Sequence, residues 1–270
     1  MDTGLSNRVV LVTGASGGIG QEVARAFAKE GARCILHFKE HGDPARALAQ
    51  ELGSGCFPIG ADLTCERDVE GLFEHAENAA GPIEILIANA GVWSPEDVPL
   101  ERMTLEQWNR TLASNLTSVF LCLREFFRGI TRHGIPDPAA VLVGSTAAIF
   151  GEAGHADYAA AKAALVYGLA RSSKNELARL APRGRINVVC PGWTLTPMAR
   201  SFAEDPARIR KAMQTIPLRK VARPFDVAMA TLYLASGQLS GHVTGQILEV
   251  AGGMEGRVLY TADDLDPSQA

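Results

Sequence analysis

The chain predicts an α/β fold, a single domain on a doubly wound seven-stranded parallel sheet with helices on both faces. Three observations carry this expectation. Seven short apolar runs alternate with amphipathic stretches along the 270 residues. The runs are near-continuously apolar, the pattern of strands covered on both faces. No Gly/Ser/Pro-rich linker and no internal repeat divides the chain, so one sheet is the better count.

The elements follow in order. Arg8–Thr13 reads as the first strand and Gly18–Lys29 as the helix after it. Strand Arg33–Phe38 then precedes helix Pro44–Leu52, and strand Cys56–Gly60 precedes helix Glu66–Ala79. Strand Ile83–Ala88 leads to a long helical pattern over Leu105–Thr131. Strand Ala139–Ser145 leads to a second over Tyr158–Leu180, which opens in an Ala-rich stretch of strong helix propensity. Strand Arg185–Cys190, helix Pro224–Leu234 and strand Gln246–Val250 complete the set. Two segments break the alternation. Thr194–Arg223 is long, charged and Pro-punctuated, and reads as a lid or substrate loop. Glu255–Ala270 is polar and acidic, with Asp263, Asp264 and Asp266, and reads as a frayed tail behind a catalytic domain of residues 1–254.

Composition excludes several function classes. Lys plus Arg total 26 against 30 Asp plus Glu, a formal charge of −4, and nucleic-acid binding needs a basic face. No apolar run reaches the ~20 residues that span a bilayer. Met1–Asn7 is short and polar for a signal peptide, so a cytoplasmic protein is expected. Five cysteines (Cys34, Cys56, Cys65, Cys122, Cys190) are scattered without a CxxC pair, and the six histidines show no HExxH spacing. Neither a disulfide framework nor a metal site is expected. Cys122 and Cys190, in apolar runs, read as buried inert thiols.

The chemistry concentrates in two places. After the first strand comes Thr13-Gly14-Ala15-Ser16-Gly17-Gly18-Ile19-Gly20. Glycines there let the backbone turn tightly and approach a pyrophosphate, whose charge meets the N-terminus of the following helix. Further on, Tyr158 and Lys162 stand at i, i+4 on one helix face, and Ser145 ends an apolar strand thirteen residues before Tyr158. A neighbouring ammonium lowers a phenol's pKa, so Lys162 is expected to make Tyr158 a proton donor for reduction and a base for oxidation. The Ser145 hydroxyl is placed to bond a substrate oxygen as charge develops on it. Thr146, on an extended backbone, would point the opposite way.

Thr13-Gly14-x3-Gly18-x-Gly20 resembles the cofactor motif of the short-chain dehydrogenase/reductase family, and the family's other landmarks follow in order from Val9 to Gly253. The resemblance implies a Rossmann fold and a nicotinamide cofactor held by Gly14, Ser16, Gly18, Ile19, Gly20, Phe38, Lys39, Asp62, Leu63, Asn89, Ala90, Gly91, Pro191, Gly192, Thr194 and Thr196, with Tyr158 and Lys162. It places Asp62 at the adenine and Thr194 and Thr196 at the carboxamide. It implies a catalytic quartet of Asn115, Ser145, Tyr158 and Lys162, with Asn115 holding a water that links the lysine to solvent.

The second strand ends in His37-Phe38-Lys39, with Phe38 where NAD-dependent enzymes carry an acid. Lys39, with His37 nearby, is expected to receive a 2′-phosphate, which makes NADP the preferred cofactor and NAD the alternative. Gly17 stands where many NADP-dependent relatives carry a cation. His155, Trp193 and Met198 are the substrate-pocket candidates, with Ile149, Phe150 and Phe202 as further apolar wall. The expected substrate is a small carbonyl or secondary alcohol.

Ile216-Pro217-Leu218-Arg219 and Arg223-Pro224-Phe225-Asp226 resemble 3-oxoacyl-carrier-protein reductases and glucose-type dehydrogenases. For the former, the stripe Arg124, Arg128 and Arg132 would receive an acidic carrier protein; the competing reading is a solvated stripe or one that pairs within an oligomer interface. Val243–Gly253 resembles a strand and turn that pack across a tetramer interface, so a homotetramer or homodimer is expected. The rival from another class is a nicotinamide-binding sensor that has lost catalysis, but this chain keeps both Tyr158 and Lys162.

Overall fold

The seven apolar runs form seven strands in a computed structural model, which describes residues 2–40, 42–197, 204–258, 261 and 265. They are β1 (Val9–Val12), β2 (Arg33–Phe38), β3 (Cys56–Gly60), β4 (Ile85–Ala88), β5 (Ala139–Val143), β6 (Arg185–Pro191) and β7 (Ile247–Val250). All pairings are parallel, in the order β3-β2-β1-β4-β5-β6-β7. The order reverses between β1 and β4. Loops leaving those two strands therefore diverge and open a crevice at the carboxyl edge of the sheet. β2 and β3 keep their expected bounds; the others shift by one or two residues, because strand-end residues such as Ser145 turn away to serve loops.

Each face of the sheet is covered by helices: α1 (Gly18–Lys29), α2 (Asp43–Leu52), α3 (Glu66–Ala80), α4 (Leu105–Leu112), α5 (Ser118–His133), α6 (Ala147–Phe150), α7 (Ala156–Ala163), α8 (Ala170–Leu180), α9 (Pro206–Met213) and α10 (Pro224–Ala235). Side chains alternate along each strand and so build two cores. Leu11, Ile35, Leu86 and Leu142 pack with Phe73 of α3, Phe126 of α5 and Leu177 of α8. Val10, Val12, Leu36 and Val141 pack with Phe27 of α1 and Val227 of α10. Arg185, on β6, is buried and closes α10. Its guanidinium donates to the Leu234 carbonyl at 2.8 Å and the Ala235 carbonyl at 3.0 Å, satisfying helix-end acceptors.

Three expectations change. The two long helices are each interrupted by a wider π turn, over Ala113–Thr117 and Ala164–Leu169. The first contains Asn115 and the second begins two residues after Lys162, and such turns are frequent near functional positions. The 194–223 segment contains a true helix, α9, started by Pro206 and capped by the Asp205 carboxylate accepting from Ala207 and Arg208 amides. The tail is not wholly free either: Leu265 is buried in a small cluster with Ile209, Met213, Ile216 and Val221. An apolar side chain there gains more from burial than the tail's polar composition suggests.

Candidate active site

The glycine loop is held from three sides. The Thr13 hydroxyl accepts from the Asn89 and Ala90 amides, both at 3.0 Å, and Asn89 Nδ2 donates to the Thr13 carbonyl at 2.9 Å. From β2, His37 Nδ1 accepts from the Gly14 amide at 3.0 Å while its Nε2 faces the Ala61 carbonyl at 3.0 Å. Burial lowers the pKa of this imidazole. A neutral ring with one donor and one acceptor satisfies both contacts. A Cβ at Gly20 would collide with the Gly14 carbonyl, so no other residue permits this close turn. Gly17, the N-cap of α1, makes no side-chain capping bond, and α1 has no acid in its first turn. That helix start therefore fits an anionic pyrophosphate.

Beside the loop, Lys39 Nζ lies 2.9 Å from Asp62 Oδ2. The Asp62 hydrogen bond holds the Lys39 pKa above its usual value. Partial burial opposes the charge on Asp62, but the Thr64 amide and hydroxyl, with Lys39, keep its carboxyl below the usual range. One expectation fails here. Phe38 does not reach the groove; strand alternation turns it away, under the Arg46 guanidinium 5.3 Å from its ring centre. His37 lines the groove, and with both nitrogens engaged it braces the glycine loop.

Every other residue expected at the cofactor lines one continuous groove, a cavity of about 480 Å³, and the quartet lines it too. Asn115 is fully buried. Its Oδ1 accepts from the Val92 amide at 3.1 Å, and its Nδ2 donates to the Val92 and Thr111 carbonyls at 3.0 and 3.1 Å. A Cβ at Gly91 would lie 2.7 Å from Asn115 Oδ1 and 3.4 Å from Lys162 Nζ, so glycine leaves the room between them. Lys162 Nζ donates to the Val143 carbonyl at 2.8 Å and sits 5.8 Å from the centre of the Tyr158 ring. Ser145 Oγ accepts from the Ala147 amide at 3.1 Å. Asp157 ties α4 to the start of α7: it accepts from Thr111 and Gln107 side chains and from the Tyr158 amide. That tie positions the tyrosine.

Burial dominates the electrostatics. It pushes the Tyr158 phenol up to about 12, against a hydrogen bond with Ser145 that pulls it down. It brings Lys162 down to about 8. The expected lowering of the tyrosine does not emerge, because at the phenol desolvation outweighs the Ser145 hydrogen bond that opposes it. Beneath them lies Cys190, fully buried, its thiol raised to about 11 by desolvation.

At the substrate end, Trp193 lines the groove as expected, and so does Thr146, because the backbone turns helical after Ser145 instead of remaining extended. His155 is buried, 3% exposed, and stacks behind Trp93 with ring centres 5.0 Å apart, so it reaches no substrate. Ile149 packs on the core and Phe150 is exposed; neither lines the groove. Met198 and Phe202 lie outside the described residues. Trp93 and Glu152 line the groove and went unforeseen. Trp93 stands two residues after Asn89-Ala90-Gly91, and that proximity is the signal that would have found it.

A groove at the sheet's carboxyl edge, closing on a half-buried Ser145 and Tyr158 above a buried Lys162, defines an oxidoreductase of the dinucleotide-binding class. The comparisons agree. The family model described as enoyl-(acyl carrier protein) reductase matches residues 14–255. The cis-4-hydroxycyclohexanecarboxylate dehydrogenase of Sinomonas cyclohexanicum is 35% identical over 256 residues, covering 94% of this chain and 98% of that one. The 3-oxoacyl-[acyl-carrier-protein] reductase of Escherichia coli K12 is 34% identical over 251 residues, covering 92% and 97%. The crystal structure of 3-ketoacyl-(acyl-carrier-protein) reductase from Brucella melitensis complexed with NADH superposes with a TM-score of 0.82 at 29% identity, covering 92% and 98%. The chain belongs to the short-chain dehydrogenase/reductase family. It is an NAD(P)-dependent oxidoreductase acting on CH–OH and C=O groups.

Proposed function

We propose that this chain reversibly reduces a small carbonyl compound, with Tyr158 as proton donor and NADP(H) preferred over NAD(H). The observation that supports it is the convergence of Asn115, Ser145, Tyr158 and Lys162 on one groove behind a braced glycine loop. When bound, the nicotinamide supplies or accepts the hydride. The phenol, raised to about 12, is protonated at neutral pH and so ready to donate to the developing alkoxide. Ser145 donates a hydrogen bond to the same oxygen. Lys162, charged below about pH 8, supports the phenolate left behind.

The NADP preference rests on Lys39, half exposed beside the groove. Its partner Asp62 would yield it to a 2′-phosphate, a stronger acceptor. Lys39→Ala should lower the NADP/NAD ratio of kcat/KM about tenfold; an unchanged ratio refutes the assignment. The narrower reading, a 3-oxoacyl-carrier-protein reductase, is favoured by the relatives but not by the arginine stripe. Arg124 pairs with Glu66 at 2.7 Å, Arg128 with Glu70 at 3.6 Å and Arg132 with Glu77 at 2.9 Å. Those pairs neutralise the surface an acidic carrier would need. Turnover of a carrier-bound thioester well above a free ketone would restore that reading.

Association as a homotetramer is supported by two apolar surfaces: Phe120 and Leu180 exposed on α5 and α8, and Leu248 exposed on the edge strand β7. Light scattering after size exclusion tests it. Residues 1–254 are taken as the catalytic domain and 255–270 as an appended tail that reaches the α9 cluster through Leu265. No helix among the described residues is long and apolar enough to cross a membrane. The five free cysteines, four of them buried, suit the cytoplasm.

A further inference from the structure

The geometry points to Glu152 as a specificity-determining residue that selects a neutral cyclic ketone or alcohol bearing a second hydroxyl and turns away substrates ending in a carboxylate. This inference rests on the carbonyl-reductase reading above and names its substrate class.

Four observations carry it. Glu152 lines the same groove as Ser145 and Tyr158, so a substrate held at the phenol extends toward its carboxyl. Trp93 and Trp193 line that end too, with ring centres 6.3 Å apart and planes at 89°, a two-sided apolar corner suited to the C–H faces of a ring. The carboxyl is held from behind: His155 Nδ1 lies 3.8 Å from Glu152 Oε1 and 3.6 Å from Asp97 Oδ1, and His155 Nε2 faces the Ser94 carbonyl at 2.9 Å. Finally, among the described residues no Lys or Arg lines this end; the groove's described lysines are Lys39 at the far nucleotide end and Lys162 beneath the tyrosine.

Buried carboxyls accept hydrogen bonds and repel other carboxylates. Burial raises the Glu152 pKa, opposed by His155 and Trp93 and assisted by Asp97. A hydroxyl on the far side of a substrate ring gives this group a donor. A carboxylate in the same place meets the Glu152 carboxyl, with no Lys or Arg among the described lining residues to receive it. In the reaction, the substrate C–H passes as hydride to the nicotinamide, its O–H proton passes to the Tyr158 phenolate, and C=O forms; reduction is the reverse.

The test compares two ketones of similar shape, 4-hydroxycyclohexanone and 4-oxocyclohexanecarboxylate, with cyclohexanone as reference. The wild type should favour the hydroxyketone over the carboxylate by at least about tenfold in kcat/KM, about 1.4 kcal/mol. Glu152→Gln should bring that ratio down to within about threefold of unity, with the carboxylate gaining and the hydroxyketone losing. Glu152→Asp, which keeps the charge, should preserve the direction of the preference and so guards against a merely structural effect. Wild-type preference for the carboxylate, or a ratio indifferent to Glu152→Gln, overturns the proposal while leaving carbonyl reduction intact. Failure of the wild type to turn over any of the three, cyclohexanone included, overturns the underlying reading as well.

Discussion

Replacing Tyr158 by Phe removes one oxygen from the centre of the cluster and leaves its surroundings in place. Burial raises the phenol to about 12, so at neutral pH it is protonated, the form that the proposed donor role requires. General acid catalysis of this kind contributes about 10²–10⁴-fold. In barrier terms that is about 3–5 kcal/mol. Ser145 and the groove remain, so a residual rate from binding and one hydrogen bond should survive. The fold should barely notice. The lost oxygen's hydrogen bond is with Ser145, and such a bond contributes only about 1 kcal/mol net. The assay is initial-rate consumption of the reduced nicotinamide over a saturating ketone, paired with a thermal melt and a cofactor Kd. The expected result is a kcat lower by about 10²–10⁴, with cofactor affinity and melting temperature close to wild type. A kcat within about threefold of wild type would refute the assignment of Tyr158. Equal loss of kcat and cofactor binding would show that the tyrosine acts on the groove's shape instead.

Other outcomes follow from the same geometry. Gly20→Ala forces a Cβ against the Gly14 carbonyl and should weaken cofactor binding more than about tenfold by fluorescence titration. Arg185→Ala uncaps the Leu234 and Ala235 carbonyls at the end of α10 and should cost about 3 kcal/mol in urea denaturation. The rate of reduction should fall as pH rises through about 8, where Lys162 loses its charge, as a pH profile of kcat will show. The same depressed lysine binds its proton more weakly folded than unfolded. Its contribution to stability therefore rises with pH from about 8 to about 10.4, checked by denaturation at either end of that window.

Much of the architecture was legible because it rests on local pattern. Near-continuous apolar runs predict buried parallel strands, and all seven appear, two with unchanged bounds. The nucleotide loop and the quartet were legible for a related reason: short spacings such as Tyr158–Lys162 survive folding as fixed geometry on one helix. The π turns were not, since Ala113–Thr117 and Ala164–Leu169 show ordinary helical composition and are pulled open by tertiary contacts such as Asn115 with Val92. The strand-end direction was also lost. Phe38 reads as a cofactor contact until alternation on β2 turns it under Arg46, leaving His37 to brace Gly14.

By itself, then, the sequence determined the sheet, the helices that cover it, the glycine turn after β1 and the candidate residues that converge on the groove. Each depends on periodicity or on spacing within one element. Tertiary structure decided which charges are available and which side chains meet a substrate. The Arg124, Arg128 and Arg132 stripe looked open until α3 brought Glu66, Glu70 and Glu77 against it. Lys162 looked like a permanent cation until burial brought it to about 8. His155 looked like a pocket residue until Trp93 covered it, and Glu152 emerged in its place. Charge and exposure depend on what distant parts of the chain pack alongside, and no local pattern carries that information.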